Sequence, residues 1–343
     1  MTHNSQLNWE QIESYIRSQL SGLPAEPMQV RPFSAGYSNL TFAIRIGEWE
    51  AVLRCPPLGP IPPKAHDMER EYHILQKLHP VFPLAPMPYF LGNDPAVMAR
   101  PFYVMERKVG VVLDDCLPSQ YEAIPDVGRL ISHTVVSTLV QLHEIDLEKT
   151  GLSEIGRPEG YLERQVHSWI KRYHQSQTDE IGVTREIEQW LLAHLPASPA
   201  PTIVHNDFKL NNMMLSMDDP REAVAVFDWE MCTSGDPLTD LGSTLAYWTE
   251  QGEAFTGLTS VTTLPGFLSR REFAQLYAEK SGRNLDSMHY YLAFAFYKVG
   301  VILQQLYARW KHGQAQDERF STLNAGVVTF MQQAHRAMHR ELL

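Results

Sequence analysis

Cysteine is scarce in this chain and falls into no pattern. Cys55, Cys116 and Cys232 are the three among 343 residues, and their spacing matches no disulfide framework and no cysteine-based zinc site. Free thiols in this number fit a reducing compartment. Basic charge is also short: 29 Lys and Arg stand against 40 Asp and Glu, a net charge of −11, so no electrostatic support exists for a nucleic-acid partner. Long apolar runs are missing too. The most apolar stretch, Tyr290 to Tyr307, is interrupted by Lys298, Gln304 and Gln305 and reads as a buried helix, with no membrane association expected. The first residues, Met1 to Gln6, are polar and carry no signal-peptide core, so a cytoplasmic location is expected. Neither Gly-x-Ser-x-Gly nor any Gly-Lys pair occurs, which removes the serine-hydrolase elbow and the P-loop. There is no repeat and no low-complexity tract.

What remains is an ordinary globular composition, 44% hydrophobic and 20% charged, in a chain long enough for two lobes with separate cores. One stretch organises it: Ile203-Val-His-Asn-Asp-Phe-Lys-Leu-Asn-Asn-Met-Met-Leu215, followed after a turn by Ala223-Val-Ala-Val-Phe-Asp-Trp229. Apolar residues enter and leave each loop as short strands, and polar groups gather where the strands stop. Asn212 and Asp228 are two oxygen ligands of the kind that suit Mg²⁺, a hard cation that takes few protein ligands together with substrate phosphates. Asp207 is left to orient and deprotonate a hydroxyl. Lys209 can meet charge on a transferring phosphoryl group.

The order His205-x-Asp207-x-x-x-x-Asn212, then a strand ending in Asp228-Trp229-Glu230, resembles the catalytic segment of the protein-kinase-like superfamily. Phe208 and the Asp-Trp-Glu in place of Asp-Phe-Gly make it more similar to the aminoglycoside phosphotransferase and choline kinase branch. Within that branch it is most like the kinase-like domains fused to some acyl-CoA dehydrogenases. The likeness runs from about Val30 to Arg309. It implies an α+β, two-lobed protein-kinase-like fold: an N-terminal lobe over residues 1–108 with a five-stranded antiparallel sheet and a helix, and a mostly helical C-terminal lobe over 109–343. It also implies ATP and Mg²⁺ as cofactors. His205 is expected to brace its loop and Asp240 to tie down the loop backbone, with Asp236 in a similar supporting role.

Along the chain, Asn8 caps a helix to Leu20. Met28–Ser34, Asn39–Ile46 and Trp49–Cys55 read as strands, with a turn at Ala35-Gly-Tyr-Ser38 whose N–H groups, Ser38 hydroxyl and Asn39 amide are candidate phosphate donors. The third strand carries Arg54 where the superfamily has a lysine; a guanidinium stays charged and grips phosphate bidentately. In the helix Asp67–Leu78, Glu69 and Glu71 lie about 200° apart at ~100° per residue. Glu71 flanks the apolar stripe and is the expected partner of Arg54. Strands at Met87–Leu91 and Phe102–Arg107 lead to a linker at Glu106 to Lys108, which the resemblance assigns to adenine binding. Helices are expected at 126–145, 158–173, 183–195, from Pro237 to Tyr247, 271–281, 286–311 and 317–340. His143 reads as a structural histidine. The aromatics Tyr290, Tyr291, Phe294, Phe296, Tyr297, Tyr307 and Trp310 favour a helix buried on several sides over an aromatic box for a quaternary ammonium. Glu230 is left open between contact with acceptor or metal water and neutralisation of an arginine.

The expected activity is therefore transfer of the ATP γ-phosphoryl group to a hydroxyl of a small molecule, with a hydroxyacyl compound or its CoA thioester favoured by the resemblance. An aminoglycoside, choline or amino-alcohol acceptor is the alternative. A nucleotide-binding pseudokinase is the alternative of another class.

Overall fold

The computed structural model describes residues 7–33, 39–57, 66–253, 260–315 and 317–343. Ser38, the 35–38 turn and most of the proline-rich segment 56–63 lie outside the described residues. The chain forms two compact units: Met1–Val109 with Ala225–Glu230, and Gly110–Val224 with Met231–Leu343. Among the described residues no helix is long and apolar enough to cross a membrane.

The first unit holds α1 (Trp9–Gln19), β1 (Gln29–Pro32), β2 (Leu40–Ile46), β3 (Trp49–Cys55), α2 (Met68–Leu78), β4 (Pro88–Gly92) and β5 (Phe102–Glu106). The strands form one antiparallel sheet in the order β1-β2-β3-β5-β4. Alternation explains β2, where Phe42, Ile44 and Ile46 are buried and the residues between face outward. The β2–β3 hairpin closes Ile46 opposite Trp49. Its two-residue loop needs left-handed backbone, which Gly47 supplies at φ 56°, as such loops require. Ile12 and Ile16 of α1 pack on Phe42, Ile44, Leu53, Phe102 and Val104 to make the core. Asp67 caps α2 by accepting from the Arg70 N–H at 3.0 Å, leaving Tyr72, Leu75 and Leu78 to bury one face.

The second unit is mostly helical. Its elements are β6 (Val111–Val112), α3 (Ser119–Glu122), α4 (Val127–His143), α5 (Leu147–Thr150), α6 (Tyr161–Ser176), α7 (Thr184–Ala193), β7 (Thr202–Val204), β8 (Met213–Leu215), β9 (Ala223–Val226), β10 (Thr233–Gly235), α8 (Pro237–Tyr247), α9 (Arg270–Ser281), α10 (Met288–Lys311) and α11 (Leu323–Met338). The strand β9 begins in this unit and ends in the first. The short β7 pairs antiparallel with β10, Ile203 opposite Ser234, and so sets where the following loop begins. Helix α8 starts as its sequence demands, with Pro237 first and the Asp236 side chain accepting from the Leu238 N–H at 2.9 Å. It lies against α10 so closely that a Cβ on Gly242 would meet the Tyr291 carbonyl at 2.7 Å.

Two expectations differ from what is found. Tyr290, Tyr291, Phe294, Phe296 and Tyr297 are buried, but Tyr307 and Trp310 are only half-buried and stack on each other at 5.9 Å. The last helix is not continuous from Asp317. The Asp317 side chain accepts from the Arg319 N–H two residues on, at 3.0 Å, and tightens the first turn into a 3₁₀ segment, Glu318–Thr322, before α11 begins.

Candidate active site

In the first unit the chemistry gathers around Arg54. Strand pairing sets Arg54 opposite Tyr103 on β5. Its Nη2 donates to Asp228 Oδ1 at 2.7 Å and lies 3.9 Å from Glu230 Oε2. Its Nε lies 3.3 Å from Glu71 Oε2, with side-chain exposures of only 13% and 2%. That last contact is held by charge, since neither Arg54 Nε nor Glu71 Oε2 makes an aligned hydrogen bond. Burial works against the guanidinium's charge, but Glu71, Asp228 and Glu230 outweigh it and hold Arg54 protonated. Glu71 responds oppositely. Burial pushes its carboxyl up to about 7, with Asp228 and Glu230 adding like charge and Arg54 opposing. Glu69, two residues away, is exposed.

Asp228 sits in left-handed backbone at φ 68°, a conformation an Asx residue tolerates better than most and one that collects at functional sites. The segment carrying it is docked by the Val226 N–H on Leu84 O at 2.8 Å and the Trp229 Nε1–H on Val226 O at 2.8 Å. Asn39 is nearly buried, and its amide is committed on both sides: Nδ2 donates to Glu230 Oε2 at 2.9 Å, and Oδ1 pairs with His66 Nδ1 at 2.8 Å. The Asn39 side chain thus braces Glu230 near Arg54. Glu106 and Lys108 pair at 3.0 Å. Glu106 also accepts from the Met87 N–H, and Lys108 donates to Pro83 O, so both side chains fasten the end of β5 to residues 83–87.

In the second unit the loop after β7 carries Asp207, Lys209 and Asn212 together. Lys209 Nζ lies 2.9 Å from Asp207 Oδ2. The Asn212 amide nitrogen donates to both Asp207 O and Asp207 Oδ2 at 2.9 Å, which leaves the amide carbonyl as the oxygen Asn212 offers to a cation. A short 3₁₀ turn, Leu210–Asn212, returns the chain to β8.

The loop backbone is fixed from several helices at once. Asp240 of α8, fully buried, accepts the His205 N–H, and its other oxygen accepts the Asn206 N–H at 2.6 Å. Burial would raise the Asp240 carboxyl, but the His143 hydrogen bond and the loop N–H groups overcome it and hold the group below its ordinary value. His143 is driven down by its own burial and bridges Tyr277 to Asp240. Thr244 donates to Phe208 O at 2.9 Å. Lys298 of α10 donates to Asn206 O at 2.8 Å, and Tyr161 of α6 donates to Asn206 Oδ1 at 2.6 Å. Asn206 is itself left-handed at φ 68°.

Lys298, Tyr161, Asn206 and Tyr247 were not singled out as site residues from sequence. Lys298 gave a signal: a lysine inside an apolar helix must find partners when buried. Burial lowers its pKa, and Asp207 and Asp240 oppose that shift. Tyr247, beneath Lys209 Nζ at 4.9 Å from its ring centroid, is pushed up to about 12 by burial and by Asp207. Nothing local marked Tyr161 or Tyr247.

Residues 29–291 match the model of the family described as "Phosphotransferase enzyme family". The chain belongs to this phosphotransferase family. A curated relative, mouse acyl-CoA dehydrogenase family member 10, is 34% identical over 309 residues, which cover 89% of this chain and 28% of the relative. The chain thus spans little more than a quarter of that protein. A crystal structure from Ralstonia eutropha, described as an aminoglycoside phosphotransferase, superposes with a TM-score of 0.80 at 27% identity, covering 96% of this chain and 99% of that one. A choline kinase from Cryptosporidium parvum shares the fold, with a TM-score of 0.65 at 12% identity over 98% of each chain. The chain shares the protein-kinase-like fold of these phosphotransferases, with a five-stranded antiparallel sheet and helices.

Proposed function

We propose that this phosphotransferase moves the γ-phosphoryl group of ATP to a hydroxyl of a small molecule, with Mg²⁺ as cofactor. The observation that carries the reading is the Asp207 carboxylate, held at 2.9 Å by both Lys209 and Asn212 on a loop whose backbone is fixed from α8 and α10 and whose Asn206 side chain is held from α6. Asp207 orients the acceptor hydroxyl and takes its proton as the new oxygen–phosphorus bond forms. The bond from the γ-phosphorus to the bridging oxygen breaks, and ADP leaves with that electron pair. Lys209 and Arg54 balance charge on the phosphoryl oxygens, and Glu71 steadies Arg54. The linker at Glu106 to Lys108 seats adenine through its backbone, and Ser38 and Asn39 belong to the turn expected near the phosphates. Such a transition state is loose, so positioning and electrostatics supply most of the acceleration.

The donor chemistry fits Mg²⁺. Asn212 offers a carbonyl oxygen, and Asp228 is a carboxylate 30% exposed despite its pairing with Arg54. Each is a candidate to hold Mg²⁺, which when bound would supply positive charge against the phosphates.

A hydroxyacyl compound or its CoA thioester is the acceptor class we favour, on the likeness to proteins named as acyl-CoA dehydrogenase family members. Steady-state consumption of Mg·ATP, screened with hydroxyacyl-CoAs, choline and aminoglycosides, tests it. Turnover with choline or an aminoglycoside alone would transfer the assignment to that class. A second reading, a nucleotide-binding protein without turnover, rests on Arg54 standing where the superfamily has a lysine. Phosphoryl transfer to any hydroxyl eliminates that reading.

A further inference from the structure

We propose a transition-metal site, of the kind that takes Zn²⁺, formed by Glu186 on α7 with His335 and His339 at the end of α11. The three side chains lie outside the cluster around Asp207 and belong to no part of the proposed chemistry. Their candidate ligand atoms, one from each residue, all lie within 4.8 Å of one another. His335 and His339 are four residues apart, a spacing that puts both imidazoles on one helical face; their ring centroids are 4.7 Å apart. Glu186 reaches them from the first turn of a different helix, with Oε2 3.4 Å from His335 Nε2.

Two ligands of a tetrahedral zinc, each about 2.0–2.1 Å from the ion, stand about 3.3–3.4 Å apart, a spacing the Glu186–His335 pair can meet. Two imidazoles and one carboxylate are the donor set that selects Zn²⁺ and its neighbours over Mg²⁺, which prefers oxygen alone. The negative end of the α11 dipole favours a cation at this terminus. Arg336, next to His335, is turned to other partners, with Nε at 3.2 Å from Glu341 and Nη1 at 3.0 Å from Gln333. The side chains of His335 and Glu186 are 30% and 58% exposed, so an ion can enter without unfolding the helices. Three protein ligands leave a fourth position for water. A bound ion would clamp α11, the last helix, to α7.

The test uses the untagged full chain, stripped of metal with a chelator and titrated with Co²⁺ and Zn²⁺ near pH 7.5. One equivalent of Co²⁺ should give the visible absorption of a low-symmetry site with imidazole ligands, and Zn²⁺ should displace it and raise Tm. His335→Gln and His339→Gln should each weaken binding by more than the roughly 10–100-fold seen when a group that only orients a ligand is lost. Both variants should keep the metal-free Tm of the wild type, because the substitutions are at the surface. Glu186→Gln should weaken binding less, since an amide oxygen remains. Absence of the Co²⁺ band at millimolar ion overturns the proposal, as does undiminished binding in the double histidine variant, which would place the ion elsewhere.

Discussion

The two charged clusters are built on opposite principles. Around Asp207 nearly every constraint is a hydrogen bond: the Asp240 oxygens on two successive N–H groups, Thr244 and Lys298 on two carbonyls, Tyr161 on the Asn206 amide. Around Arg54 charge leads, beside hydrogen bonds from Arg54 to Asp228 and from Asn39 to Glu230. The carboxylates of Glu71, Asp228 and Glu230 converge on one guanidinium, and the most buried contact makes no aligned hydrogen bond. A hydrogen-bonded loop is preorganised, with its geometry set before a substrate arrives. A cluster of unequal charge is instead responsive, because a cation or a phosphate changes its balance. The difference teaches which residues should alter chemistry when changed and which should alter ligand binding and pH response.

Breaking the charge cluster should have the largest effect. Asp228→Ala removes the proposed Mg²⁺ ligand and leaves Arg54 beside Glu71 and Glu230, so turnover should fall to background with productive Mg·ATP binding lost. Calorimetric titration with Mg·ATP checks this, and wild-type affinity with full turnover ends the ligand role for Asp228. Asp207→Asn should lower kcat by ~10²–10⁴, as for loss of a general base, while nucleotide affinity stays near wild type. A variant with intact kcat would remove Asp207 from the chemistry.

Asp240→Asn loosens the loop without touching a reactant. Losing a charged acceptor for buried N–H groups should cost roughly 1.5–3 kcal/mol of stability, read by denaturant unfolding, with a smaller fall in kcat than Asp207→Asn. An unchanged midpoint would mean that the loop is held without its carboxylate.

The smallest effect sharpens the contrast through pH. Burial raises Glu71 from its ordinary 4.5 to about 7, so between those values the folded protein holds a proton that the unfolded chain has released. Stability should therefore fall as pH rises through that window and stay lower above it. Glu71→Gln should flatten this portion of the profile, measured by urea unfolding at several pH values. An identical slope in the variant would show that Glu71 does not titrate there.

Local pattern carried much of this. Apolar stripes placed β3 at Trp49–Cys55 as observed, and the stripe on α2 separated Glu71, which faces the sheet beside Arg54, from the exposed Glu69. Crowded aromatics marked α10 as a buried helix, since rings on every side need neighbours on every side. The order of His205, Asp207, Asn212 and Asp228 pointed to a phosphotransferase, because loops that end strands keep their polar spacing in the sequence itself. Other features lived only in long-range contacts. Tyr161 meets Asn206 across 45 residues and Lys298 across 92, and no periodicity encodes either pairing. The Asn39 amide meets partners 27 and 191 residues away, which its neighbours in the chain do not announce.

The sequence by itself determined which elements form and which residue types sit at the ends of its strands, because periodicity, capping and turn chemistry act over a few residues. Tertiary structure alone decided that Asp228 joins Glu71 on one guanidinium, that Lys298 bonds to the Asn206 carbonyl, and that Glu186 comes within 4.8 Å of two histidines at the end of α11. Those outcomes depend on packing between helices and strands far apart in the chain, where burial sets the strength of every charge.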